Sequence, residues 1–213
     1  MDNYKNREKL PTSVKLSLFI SSYFPLFLII ILRQIEQNRE YLFFGGLNIT
    51  AICLFLSNFG ISIILGIVSC FGLVGLYLFL RNTKGLTENN GHEFVILNIQ
   101  NKNTESIGYI ATYLLPFVLQ TYSSIFDVIQ VLLLLSIMYI IYTHSNLIVV
   151  NPIINFRYSL YEIEYYNEKS PDIKRNGIFI VNCHYLEKGD HLLAKKLNAN
   201  IFYGTIGGLK WAS

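Results

Sequence analysis

The residues best equipped for chemistry are Cys183-His184 and, a short distance on, His191. Thiolate and imidazole are zinc-type ligands, but this C-H-x6-H arrangement offers no fourth ligand at a standard interval. Surface or strand-end positions are therefore expected, not a metal centre. Nor do Cys183 and His184 make a nucleophile–base pair, because adjacent strand residues point to opposite faces. The chain has no phosphate-cradling glycine loop, no serine elbow and no HExxH. No catalytic residue and no cofactor are expected. Asp127 and Gln130 are the other polar residues of note, because both interrupt an apolar run. A carboxylate in lipid marks a functional site by default, yet Asp127 stands only one turn inside the run, within reach of headgroups. Three roles stay open for it: an interfacial anchor or interhelical hydrogen bond, an oligomer contact, or part of an ion path.

The elements that must position these residues are mostly apolar. Of 213 residues, 52% are hydrophobic and 15% charged, with a mean hydropathy of +0.40. That is too apolar for an ordinary soluble domain. The net charge of +3 is weak and dispersed, which argues against direct nucleic-acid binding. Cys53 and Cys70 lie in apolar runs and Cys183 in the tail, so there is no disulfide framework.

Crossing roughly 30 Å of hydrocarbon takes about 20 apolar residues in a helix. Leu16 to Leu32 reads as a first span, with Pro25 tolerated inside it. The basic stretch before it and the lack of a small-residue cleavage site predict a retained signal anchor. From Tyr41 to Leu80 the apolar character barely stops. It reads as an interfacial lead-in through Asn58 and a second span from Gly60 to Leu80, with two full spans as the alternative. Ser62, Gly66 and Ser69 share a face there and permit close helix approach, within a subunit or at an oligomer seam. Ser106 to Gln120 is the third expected span and Ile125 to Tyr142 the fourth. Tyr109 and Tyr113 lie i,i+4 on the third, for core packing or as the lining of a pore or sensor.

Lys and Arg gather before the first span, between residues 81 and 102, and in the tail, which predicts that all three are cytoplasmic. The expected fold class is therefore an α-helical membrane protein with four transmembrane helices and a small cytoplasmic α+β domain. The expected division is 1–15 cytoplasmic, 16–80 and 106–150 membrane helices, 81–105 a cytoplasmic loop with a strand, and 151–213 the cytoplasmic tail. In that tail Tyr161, Ile163 and Tyr165 alternate with Glu162 and Glu164, as in a half-buried strand. Gly177 to Asn182 and Ala199 to Tyr203 read as further strands. Asp190 is expected to cap a short helix over His191 to Leu197.

The stretch that joins sheet to membrane is Glu93 to Phe117. Phe94 to Ile99 reads as a strand. Asn103 and Glu105 are expected to satisfy the free N–H groups at the start of the third span, with Glu105 favourable at its positive end. Strand and span would then meet without a linker, and movement of one would reach the other. An exposed sheet edge would suit strand addition by a soluble partner.

The segment Phe94-Val-Ile-Leu-Asn-Ile-Gln-Asn-Lys-Asn-Thr-Glu-Ser, leading into Ile107-Gly-Tyr-Ile-Ala-Thr-Tyr-Leu-Leu-Pro-Phe117, resembles the centre of the KwaA family of the bacterial Kiwa antiphage system. Ser145-Asn-Leu-Ile-Val-Val-Asn-Pro-Ile-Ile-Asn-Phe-Arg-Tyr-Ser-Leu-Tyr-Glu-Ile163 is similar to the segment where that family enters its cytosolic sheet. These stretches cover a third of the chain at most, and Arg157 stands where the family carries a glycine. The resemblance implies a non-enzymatic, homo-oligomeric inner-membrane sensor of phage infection, a tetramer being one form. It also implies a cytosolic DNA-binding effector, KwaB, as partner. Asn103, Glu105, Tyr109, Tyr113 and Asp127 are the residues expected to serve coupling or assembly, and Ser62, Gly66 and Ser69 helix packing. The alternative reading is a small oligomeric channel or transporter, against which stands the lack of any internal repeat.

Overall fold

The computed structural model describes residues 10–43, 46, 48–104, 108, 125–144, 151–167, 170–183, 185–198 and 200–206. Helices α1 (Thr12–Ser22) and α2 (Phe24–Gln37) meet at Tyr23 with a bend of 51°. Pro25 causes it: its ring has no N–H for the Ser21 carbonyl and crowds the preceding turn. The Tyr23 N–H closes α1 on the Ile20 carbonyl at 3.1 Å. A 3-10 turn at Arg39–Phe43 follows.

Helix α3 (Ile49–Asn90) runs unbroken for 42 residues, about 63 Å at 1.5 Å per residue. Asn48 starts it by accepting the Ala51 N–H at 2.8 Å. Ser62, Ser69, Gly72, Leu76, Leu80, Thr83 and Thr87 form one buried stripe at helical spacing. Helices α1 and α2 cover that stripe. A methyl group added at Gly72 would collide with the Ile20 side chain, and one at Gly75 with Ser17. These two glycines let α1 approach the α3 backbone.

The rest of the described chain adds α4 (Ile125–His144), the single turn α5 (Pro152–Asn155) and five strands. These are β1 (His92–Asn101), β2 (Ser159–Asn167), β3 (Ser170–Val181), β4 (His191–Asn198) and β5 (Ile201–Ile206). They close into a barrel in the order β1-β2-β3-β5-β4, with β4 returning to β1. Every pairing is antiparallel except β3 with β5. Tyr161, Ile163 and Tyr165 face the interior, as their alternation predicts, with Phe94, Ile96, Phe179, Val181, Leu192, Ala194 and Phe202. The outer face of the same wall, including Leu160, Ile180, Ile201 and Tyr203, packs on Leu18, Tyr23, Leu76 and Leu80 of the helices. Two cores thus share one wall of strands.

Several expectations need correcting. Among the described residues there are five α-helices and a closed five-stranded barrel, not a four-span helical protein with a small α+β tail. Among the described residues only α3 is long and apolar enough to cross a membrane, or two segments are if the bent α1–α2 pair counts as one. Helix α4 has 20 residues over the fourth expected span, and most of the third expected span lies outside the described residues. The separate lead-in and span over 41–80 merge into the single helix α3 from Ile49 onward. His191 to Leu197 is strand β4, not a helix. Its Leu, Ala and Lys suit a helix, but pairing to β1 and β5 on both sides decides the outcome. Asp190 caps a turn, its Oδ2 accepting from the Glu187 N–H at 2.8 Å. Closure also removes the open edge expected for strand addition.

One residue, Gly91, separates α3 from β1. Its N–H donates to the Thr87 carbonyl at 2.8 Å, and a side chain there would run into that carbonyl and into Leu193 of β4. Gly91→Val should lower the stability of the full-length chain by about 1–3 kcal/mol. An unchanged unfolding midpoint in detergent would mean that β4 does not pack so closely on this turn.

Candidate functional site: the helix–barrel junction

The site worth building is the layer where the helices meet the barrel, because it gathers the buried polar groups. At its centre is Asn151, fully buried. Its Nδ2 donates to the Leu18 carbonyl at 3.0 Å and to Ser21 Oγ at 2.8 Å, while its Oδ1 accepts the Ile153 N–H at 3.0 Å. One amide therefore starts α5 and binds it to α1 just ahead of the Pro25 bend. Ser21 Oγ in turn donates to Leu18 O at 2.9 Å. Nearby, Lys15 Nζ donates to the Thr143 carbonyl at 3.2 Å, placing a cation at the negative end of α4.

Aromatic rings fill the space around these polar ties. Phe19 lies against Tyr23, Tyr139 and Tyr142 with centroids 4.7, 5.1 and 5.4 Å away. Tyr203, fully buried on the outer face of β5, meets Tyr158 edge-on at 5.9 Å. Burial above all, then the neighbouring Tyr158 hydroxyl, holds the Tyr203 phenol well above its usual 10.0. The neutral form is the one the fold accommodates. Its stabilisation is complete below pH 10 and is lost as pH climbs through the raised folded value. In unfolding measurements across about pH 9–12, Tyr203→Phe should flatten the alkaline decline relative to the parent. Parallel curves would show that the Tyr203 phenol ionises equally readily in the folded and the unfolded chain.

The structure distributes the sequence-selected residues unevenly. Asn103 lies at the exit from β1, where its Oδ1 accepts the Leu160 N–H at 2.8 Å and its own N–H goes to Asn101 Oδ1 at 2.8 Å. It fastens the end of β1 to the start of β2. Lys102 reinforces that seam through Glu162 at 3.2 Å. Glu105, Tyr109 and Tyr113 lie outside the described residues, as does the side chain of Asp127 within α4. Ser62 is held by α2: its N–H donates to Gln34 Oε1 at 2.8 Å and its hydroxyl to the same oxygen. Ser69 is buried on the same stripe, whereas a methyl group at Gly66 would meet open space. Cys183 donates to the Tyr185 carbonyl, His191 is exposed on β4, and His184 is outside the described residues. Among the described residues no three His, Cys, Asp or Glu side chains gather as a metal site.

Sequence reasoning missed Asn151, Gln34, Gly72, Gly75 and Gly91. Asn151-Pro152 reads as a helix break, and nothing local says that its amide will be buried. The glycines of α3 carried a signal, since they share the helical stripe with Ser62 and Ser69.

A family model described as "Anti-phage protein KwaA" matches residues 14–203. The chain belongs to the KwaA family of anti-phage proteins. The match runs from α1 to within β5, so helices and barrel together form what this KwaA chain shares with its family. It is accordingly a component of antiphage defence. No curated protein and no solved structure matches it.

Proposed function

We propose that this KwaA-family chain is a non-enzymatic sensor and scaffold embedded in the bacterial inner membrane. In this reading the barrel lies on the cytoplasmic side, and the rigid joint α3–Gly91–β1 carries a disturbance of the bilayer to it. The barrel then engages or releases a cytosolic effector, the DNA-binding KwaB. The chain acts as a homo-oligomer.

The observation that carries this reading is the continuity of α3. Its apolar part, Ile49 to Leu80, is about 48 Å long against roughly 30 Å of hydrocarbon. Such a helix leans, or the lipid around it deforms, so its tilt depends on the bilayer. Large apolar side chains along it, including Ile64, Phe71, Val74 and Leu78, are exposed, as lipid-facing residues are. Beyond Leu80 the helix turns polar and packs against β4 and β5. A change of tilt therefore acts directly on the barrel wall. The sidedness draws on the cations at Lys15, Arg81, Lys84 and Lys102, which all stand at the barrel end of the helices.

The test is a flexible Gly-Gly-Ser insertion directly after Gly91 in cells carrying the whole defence system. Protection should fall to that of cells without the system, at normal protein abundance and with the chain still in the membrane fraction. Retained protection would remove the coupling role. Release of the parent chain from membranes by alkaline carbonate would remove the membrane reading, and failure to copurify the effector in mild detergent the scaffold reading.

A further inference from the structure

The interior positions of β3 alternate as Ile173, Arg175, Gly177, Phe179 and Val181, and this row brings a cation to the mouth of the barrel. Arg175 pairs directly with Tyr165, and Phe94 with Asn167, so each pair shares the inward face. With Ile173 these residues line a cavity of about 100 Å³. The Tyr165 ring of this lining also meets Phe179 and Phe202, which stack on each other at 4.8 Å. Burial raises the Tyr165 phenol, and the Arg175 guanidinium opposes that shift, as a cation beside the ring does. Among the described residues no carboxylate pairs with Arg175. Glu162, Glu164 and Asp172 occupy the outward positions of the same two strands.

The Arg175 guanidinium, exposed at the mouth beside the Tyr165 ring and with no carboxylate paired to it among the described residues, is open to an anion from elsewhere. We propose that the barrel mouth binds a carboxylate on a short aliphatic stem, the acidic side chain of a protein partner. The guanidinium offers a planar fork that matches a carboxylate, and the Tyr165 and Asn167 side chains are polar neighbours to it. Phe94 and Ile173 give the stem apolar walls. The volume equals about three waters, enough for a carboxyl group and its methylene and too little for a nucleobase or sugar. Mouths of small barrels are common ligand positions. The inference rests on the barrel alone and is independent of the membrane reading.

The experiment uses the full-length chain in detergent, labelled with 3-fluorotyrosine, the Tyr165 signal being assigned by its loss in Tyr165→Phe. N-acetylglutamate α-amide should shift that signal saturably, and the N-acetylglutamine α-amide should not. Arg175→Gln should weaken the response about tenfold or more, and Arg175→Lys should retain part of it. Equal response to both probes, or an undiminished response in Arg175→Gln, would overturn the site. Saturation by inorganic phosphate without response to the glutamate probe would overturn the carboxylate assignment. An unchanged unfolding midpoint in Arg175→Gln separates lost binding from lost folding.

Discussion

Phe179→Ala lowers the stability of the chain by about 3–5 kcal/mol, the largest loss expected from a single substitution in the barrel. The ring is fully buried and stacks on Phe202 at an interplanar angle of 13°. It also meets Tyr165 edge-on at 5.3 Å and Phe94 at 6.2 Å. Removing it leaves a cavity where four rings meet, and a closed wall cannot contract to fill it. Small domains have little stability to spare, so the barrel should unfold near physiological temperature. Phe179→Leu, which restores most of the volume, should recover much of the loss. Chemical denaturation of the full-length protein in detergent reads both. A loss under 1 kcal/mol for Phe179→Ala would show that the interior is loosely filled.

Asn151→Leu should cost about 2–4 kcal/mol, although leucine is a close match in size. The replacement takes the acceptor from the Ile153 N–H and the Asn151 donor from the Leu18 carbonyl and the Ser21 hydroxyl, which keep only their bond to each other in the buried layer between α1 and α5. Asn151→Asp gives a sharper reading. It keeps the acceptor for the Ile153 N–H but turns a carboxylate oxygen towards the Leu18 carbonyl. Aspartate should therefore do no better than leucine, and the midpoint should rise at low pH as the carboxyl gains a proton. An aspartate variant as stable as the parent at neutral pH would remove Asn151 from its role as a donor to α1. The same pair also bears on function, because the tie joins the bent helix to the chain segment that enters β2.

How much was legible beforehand follows from the period of each signal. The alternation at Tyr161, Ile163 and Tyr165 is a two-residue repeat, which only a strand produces, and the interior face of β2 follows from it. His191-Leu-Leu-Ala-Lys-Lys-Leu197 fits either period, and the hydrogen bonds that make it a strand come from β1 and β5, distant in sequence. Hydropathy counted apolar residues correctly, but it could not tell that Pro25 divides one run in two while Gly60, Gly66, Gly72 and Gly75 leave another unbroken. Asn103 was placed at the right junction, but its tie to the Leu160 N–H of β2 was not legible, because that partner is distant in sequence. Nothing in the sequence around Arg175 singles it out. Its inward aim depends on register with Tyr165, and register is a property of two strands together.

Strand order also constrains how the molecule is made. β5 is the last of the five to be translated, yet it sits between β3 and β4 and closes the ring. Until the ribosome has delivered Ile201–Ile206, both neighbours present bare edges to whatever else is nearby. The long helix α3 can find its place well before that. Nascent chains stalled short of β5 would then carry a sticky, half-made sheet, the form most in need of a chaperone.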